Sequence, residues 1–116
     1  MSNTPLGNTH GLMDMLGYLA MTIDARATGE GERSYTISLL EKGALHCGKK
    51  IAEEGAELAI ALAAQGEEES ALEAADLLYH ILVGLRAKGV SLDQVAEALR
   101  QRQGVSGLDE KASRGS

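Results

Sequence analysis

The chain has 116 residues, with 11 basic and 17 acidic side chains and a formal charge of -6, which reads as one small domain without the clustered cations that a nucleic-acid backbone wants. Aromatic residues are 3%, all Tyr, and the hydrophobic 44% is dominated by Ala and Leu, which argues against base-stacking platforms and β-sandwiches and favours helix. No apolar run approaches the roughly eighteen residues that span a bilayer. The N-terminus lacks the order of a secretory signal, and a lone Cys47 has no internal disulfide partner, so a cytoplasmic, non-membrane protein is expected.

Residues 1–9 are polar, with Pro5 and Gly7, and read as a flexible arm. A first helix is expected from Leu12 to Ala27, where Met13, Leu16, Leu19, Ala20 and Ile23 fall at helical spacing. Thr28-Gly29-Glu30-Gly31-Glu32 is a loop. Ser34 is an N-cap for a short helix over Tyr35 to Glu41, broken by Lys42-Gly43. The second long helix runs from Leu45 to Ala64, with Gly66 as a left-handed terminator. The third runs from Glu67 to Ala87, with Glu67, Glu68 and Glu69 at its dipole-favoured start and Gly89 at its end. So short a turn makes these two helices antiparallel neighbours. Ser91-Leu92-Asp93-Gln94 reads as a capping box that opens a fourth helix to Gln103. Residues 104–116 read as a flexible tail. The fold class is therefore all-α, an antiparallel helical bundle of four to five helices over residues 10–103. The third helix carries Leu72, Ala75, Leu78, Tyr79, Leu82 and Leu85 with further apolar residues between them. That surface is wide for a small monomer, so a homodimer is expected.

The chemistry lies in Lys49-Lys50-Ile51-Ala52-Glu53-Glu54-Gly55-Ala56-Glu57 and in Glu73-Ala74-Ala75-Asp76. Glu54 and Glu57 share a helix face, and Glu73 and Asp76 repeat the spacing on the next helix. Glu57 stands nine residues before Gly66 and Glu73 seven after it, so the pairs reach the same level of the hairpin. Four carboxylates can then converge. An empty cluster repels itself and raises its own pKa values. A hard cation with oxygen ligands removes that cost. Mg²⁺ fits best because it keeps coordination sites for water and phosphate, and Mn²⁺ is a substitute. His46 and Lys50 extend the stripe of Glu54, and Lys49 flanks it, which makes these three the phosphate-binding candidates.

Each residue also has a plainer reading. A single acidic pair on a helix is most often a solvated face, and two matched pairs weaken that reading. Glu53 is about 100° round the helix from Glu54; it is a supporting carboxylate, a base for water, or solvated. Lys49 and Lys50 can form i,i+4 pairs with Glu53 and Glu54, which is the expected role for Lys49. His80, four after Asp76, lies on the acidic stripe as a packed histidine or a support for the site. Cys47 is a small buried or half-exposed residue.

Taken together, Ser34-Tyr35-Thr36, Leu39-Leu40-Glu41-Lys42-Gly43, Lys50 with Glu53-Glu54-Gly55-Ala56-Glu57, and Glu73-Ala74-Ala75-Asp76-Leu77-Leu78-Tyr79-His80 resemble the phosphoribosyl-ATP pyrophosphatases of histidine biosynthesis. The acidic skeleton alone is shared with the wider all-α MazG-like nucleotide pyrophosphohydrolases, and the flanking strings narrow it. The resemblance covers roughly residues 12 to 102. It implies Mg²⁺-dependent hydrolysis of the α–β phosphoanhydride of phosphoribosyl-ATP by water, releasing phosphoribosyl-AMP and pyrophosphate. It also implies a homodimer of interleaved bundles, with metal ligands at Glu54, Glu57, Glu73 and Asp76 and with Glu53 beside them in the site. Glu53, or a ligand carboxylate such as Glu54, is the catalytic candidate that orients or deprotonates the attacking water. The family commonly has Lys where His46 stands, and Cys47-Gly48 is unusual near a helix start. Cleavage of a free nucleoside triphosphate such as dUTP, and a non-catalytic dimerisation module, are the alternatives. A di-iron bundle needs Glu-x-x-His, which neither acidic pair supplies.

Overall fold

The computed structural model describes residues 2–29, 31 and 34–103. Among them it has five helices: α1 (His10–Ala27), α2 (Tyr35–Lys42), α3 (Ala44–Ala64), α4 (Glu67–Lys88) and α5 (Leu92–Gln101). The expected tail, 104–116, and three residues of the α1–α2 loop lie outside the described residues.

Local chemistry sets most helix ends. α1 begins two residues earlier than expected, where Asn8 Oδ1 accepts the His10 N–H at 2.7 Å. Ser34 caps α2, its hydroxyl accepting the Ile37 N–H at 3.3 Å. Gly43, at φ 91° and ψ 177°, occupies a conformation essentially restricted to glycine and turns the chain sharply from α2 into α3. Gly66 corrects an expectation: it is extended, at φ -90°, and it caps the start of α4 rather than the end of α3. The reason is Glu69, whose Oε2 accepts the Gly66 N–H at 3.1 Å and so claims this residue for the following helix. α4 ends at Gly89. The capping box at α5 forms as expected: Ser91 Oγ accepts the Gln94 N–H at 3.1 Å and Gln94 Oε1 accepts the Ser91 N–H at 2.9 Å. α5 stops at Gln101, short of Gln103.

α3 and α4 form the antiparallel hairpin that organises the molecule, and α1 and α2 pack against it. The core is Ile23, Leu39, Cys47, Leu82 and Val83, joined by Leu16, Leu19, Leu40, Tyr79 and Ala87. Gly84 sets the helix separation there. A Cβ at that position would stand 3.0 Å from Ile51 Cδ1 and 3.5 Å from Cys47 Cβ, so the missing side chain is what admits α3. Cys47 is buried and directs its thiol to the Leu39 carbonyl at 3.5 Å. Burial pushes this thiol's pKa up. Apolar surface also stays open: Met13, Met15, Tyr18 and Met21 of α1, Leu72 of α4, and Leu92, Val95 and Leu99 of α5 are exposed. α5 buries none of its residues.

Candidate metal centre

The acidic side chains occupy the half of the hairpin nearer the Gln65-Gly66 turn. Glu54, Glu57 and Glu73 each place a carboxylate oxygen so that the three lie within 4.8 Å of one another. The matched-height expectation holds for these three. Asp76 is exposed and its oxygens fall outside that set. Its charge nevertheless acts on both Glu54 and Glu73.

Glu54 and Glu73 are half-buried, and Oε2 of each is shielded from solvent with no hydrogen-bond partner among the described residues. Burial, followed by the nearby Glu57 carboxylate, pushes the Glu54 pKa above its ordinary value; Asp76 adds to the rise and His80 opposes it. The Glu73 carboxyl is pushed up the same way, by burial first and then by Glu57, Asp76 and Glu54. Two shielded lone-pair sites facing like charges are what an oxygen-ligated divalent cation would satisfy. The donor set is all carboxylate, which suits Mg²⁺ or Mn²⁺ and not zinc.

Buried His80 borders the cluster. Its Nδ1 lies 2.7 Å from the Asp76 carbonyl oxygen and its Nε2 3.2 Å from the Tyr35 hydroxyl. A carbonyl can only accept, so Nδ1 carries the proton and, in the neutral ring, Nε2 accepts from Tyr35. Thr36 Oγ1 and the Tyr79 hydroxyl are 2.5 Å apart. Two consecutive residues of α2 are thereby fastened to two consecutive residues of α4.

Among the phosphate-binding candidates, Lys50 is half-buried on α3. Its ammonium pairs with Glu53 at 3.1 Å. Its pKa is raised, by the Glu53 hydrogen bond first, with Tyr35 and Glu54 contributing. This corrects the expected pairing: Glu53 takes Lys50 three residues back, not Lys49 four back. Glu53 is exposed and outside the carboxylate trio. Lys49 is exposed and His46 half-buried, both on α3. Tyr35 escaped the sequence reading as a site residue. It lies 45 positions from His80, and only its place in a shared string marked it.

The family model described as Phosphoribosyl-ATP pyrophosphohydrolase matches residues 16–103, a span that holds every carboxylate and cation discussed above. The chain belongs to the phosphoribosyl-ATP pyrophosphohydrolase family. Its similarity to "Phosphoribosyl-ATP pyrophosphatase 1" of Bradyrhizobium diazoefficiens is 54% identity over 83% of this chain and 91% of the relative. The "Phosphoribosyl-ATP pyrophosphatase" of Caulobacter vibrioides is 53% identical over 89% of this chain and 95% of its own length. The "Histidine biosynthesis bifunctional protein HisIE" of Wolinella succinogenes is 45% identical over 92% of this chain but only 47% of its own length. This family's fold is thus all-helical here, as its sequence leads one to expect, and no helix among the described residues is long and apolar enough to cross a membrane.

Proposed function

We propose that this protein hydrolyses the α–β phosphoanhydride of phosphoribosyl-ATP, yielding phosphoribosyl-AMP and pyrophosphate, with Mg²⁺ held by Glu54, Glu57 and Glu73. The observation that carries this reading is the carboxylate trio within 4.8 Å, with two shielded, unpartnered oxygens, in a chain of this family. Asp76 joins the trio through a change of rotamer, because it stands level with Glu54 across the hairpin. The bound cation supplies neutralising charge on the phosphates and lowers the pKa of a water in its shell.

The chain's own groups do the rest. Lys50 exchanges its partner, Glu53, for a phosphate oxygen, and this frees the Glu53 carboxylate to accept a proton from the attacking water. Lys49 and His46 reach phosphates farther along the chain of anhydrides. His80, bonded at both ring nitrogens, supports the α4 turn that carries Asp76. The working unit is a homodimer in the cytoplasm, in which a second copy covers the apolar side chains left open on α1 and α5. A cleft of about 410 Å³ between α1, α4 and the start of α5, lined by Ile23, Leu82, Val90 and Leu92 and edged by the Asp24–Arg86 ion pair, continues that surface.

The test is pyrophosphate release from phosphoribosyl-ATP, dUTP and dCTP with and without Mg²⁺. Turnover of phosphoribosyl-ATP that needs Mg²⁺ and far exceeds the other two is expected. Preference for a free nucleoside triphosphate would overturn the substrate, and turnover in the presence of chelator would overturn the metal.

A further inference from the structure

We propose that Tyr35 contacts the substrate, its ring serving as a preset platform on which the nucleobase stacks while the phosphates lie at the carboxylates. The proposal rests on the reading of the metal centre as a nucleotide site. The chain has three tyrosines and no Trp or Phe, and two of the three, Tyr35 and Tyr79, meet here, so the scarcity of aromatics that argued against a stacking platform does not extend to this place. Tyr35 is 52% exposed, yet it is held at both ends. Its backbone is the first residue of α2, behind the Ser34 cap. Its hydroxyl bonds Nε2 of His80 at 3.2 Å. Its ring packs against Tyr79, with centroids 6.3 Å apart and planes 21° apart, and meets His80 edge-on at 5.9 Å and 74°.

An exposed tyrosine normally keeps its rotamer freedom and loses it on binding. Here the fold has already removed that freedom, so a stacked ligand meets a smaller entropic cost. The location also fits. Lys50, the candidate phosphate-binding cation, lies in the fields of both Tyr35 and Glu54. His80 touches Tyr35 on one side and the Asp76 carbonyl on the other. The ring therefore stands at the rim of the metal centre. A flat π surface there suits a nucleobase, whose face stacks on aromatics whatever its edge chemistry.

The Tyr35→Trp variant would contain the chain's only indole. With Mg²⁺ present, phosphoribosyl-AMP is expected to quench it and pyrophosphate to leave it unchanged. In steady state, Tyr35→Ala is expected to raise KM for phosphoribosyl-ATP about tenfold with kcat within about threefold, the size a lost base–aromatic stack gives. Inhibition by pyrophosphate should not move. Tyr35→Phe, which keeps the ring but loses its bond to His80, should raise KM less than Tyr35→Ala does. An unchanged KM in Tyr35→Ala would overturn the proposal. So would equal weakening of nucleotide and pyrophosphate, since that marks a scaffold residue. Should Tyr35→Ala fail to fold, absence of quenching in Tyr35→Trp overturns it alone. Failure of the underlying nucleotide reading would instead appear in the unmutated protein, as absent Mg²⁺-dependent turnover.

Discussion

Replacing Glu54 by Gln separates the two demands placed on the acidic cluster. Without metal, Glu54 and Glu57 hold like charges no more than 4.8 Å apart. Coulomb repulsion at that distance is about 0.9 kcal/mol when water screens it fully and about 3.5 kcal/mol at an effective dielectric near 20. A domain of this size gains about 4 °C in Tm per kcal/mol. Metal-free Glu54→Gln should therefore melt roughly 4 to 14 °C above the parent at pH 8, by calorimetry in chelator. Added Mg²⁺ reverses the order. At a hundred times its Kd the ion stabilises the parent by about 2.7 kcal/mol through linkage, and the variant should gain far less. The pH dependence has a fixed sign. Glu54 and Glu73 have folded-state pKa values above the ordinary 4.5, so the folded chain takes up protons more readily than the unfolded one. The metal-free protein then gains stability as pH falls through the raised values toward about 4.5 and loses it as pH rises again. Mg²⁺ should flatten that slope. A metal-free Tm lowered by Glu54→Gln would refute the repulsion, and a parent Tm unchanged by Mg²⁺ would refute metal binding at the cluster.

Lys50→Ala should raise KM for phosphoribosyl-ATP roughly tenfold, the order of one charge-assisted contact, and an unchanged KM would remove Lys50 from phosphate binding. Leu39 is 1% exposed in the core, so Leu39→Ala should cost about 2–5 kcal/mol in urea unfolding; a loss below about 1 kcal/mol would contradict the packing described. Val95→Glu combined with Leu99→Glu charges the open face of α5 and should shift sedimentation toward the 12.2 kDa monomer. A parent protein that already sediments as that monomer at micromolar concentration would refute the dimer.

Much of this molecule is written in short-range chemistry, and that part was readable in the sequence. Ser34 and Ser91 announce their helices because a cap needs only a hydroxyl and an amide three residues on. Glu54, Glu57 and Glu73 meet because helical spacing and a two-residue turn fix their level in the hairpin. The failures share a cause as well. Gly66 could serve the end of one helix or the start of the next, and the choice fell to the Glu69 side chain, a rotamer that composition does not encode. Asp76 lies on the right turn, but spacing gives the stripe and not the direction of a carboxylate. The Tyr35–His80 bond joins residues whose proximity depends on how α2 folds back across the hairpin.

The seam between α3 and α4 changes character along its length, and the change follows what covers it. Near the Gln65-Gly66 turn it carries Glu57 against Glu73 and then Glu54 beside Asp76. Farther along come Ile51 and His80, then Cys47 against Val83 and Gly84. α2 lies over this second half, where Leu39 is buried and its carbonyl receives the Cys47 thiol. The first half stays partly open, with Glu57 and Asp76 exposed, so charges there keep some hydration and a cation can reach the shielded oxygens of Glu54 and Glu73, whereas on the second half an unpaired carboxylate would lose its hydration with nothing to replace it. His80 marks the boundary. It is buried, and it is admitted there because both ring nitrogens have partners, one on its own helix and one on α2. The short helix thus does two jobs at once. Its apolar side seals the core, and its first turn delivers a tethered tyrosine to the edge of the charged half. A site assembled this way needs no loop of its own: the end of the seam that α2 leaves uncovered is the place where a metal and its phosphates can enter.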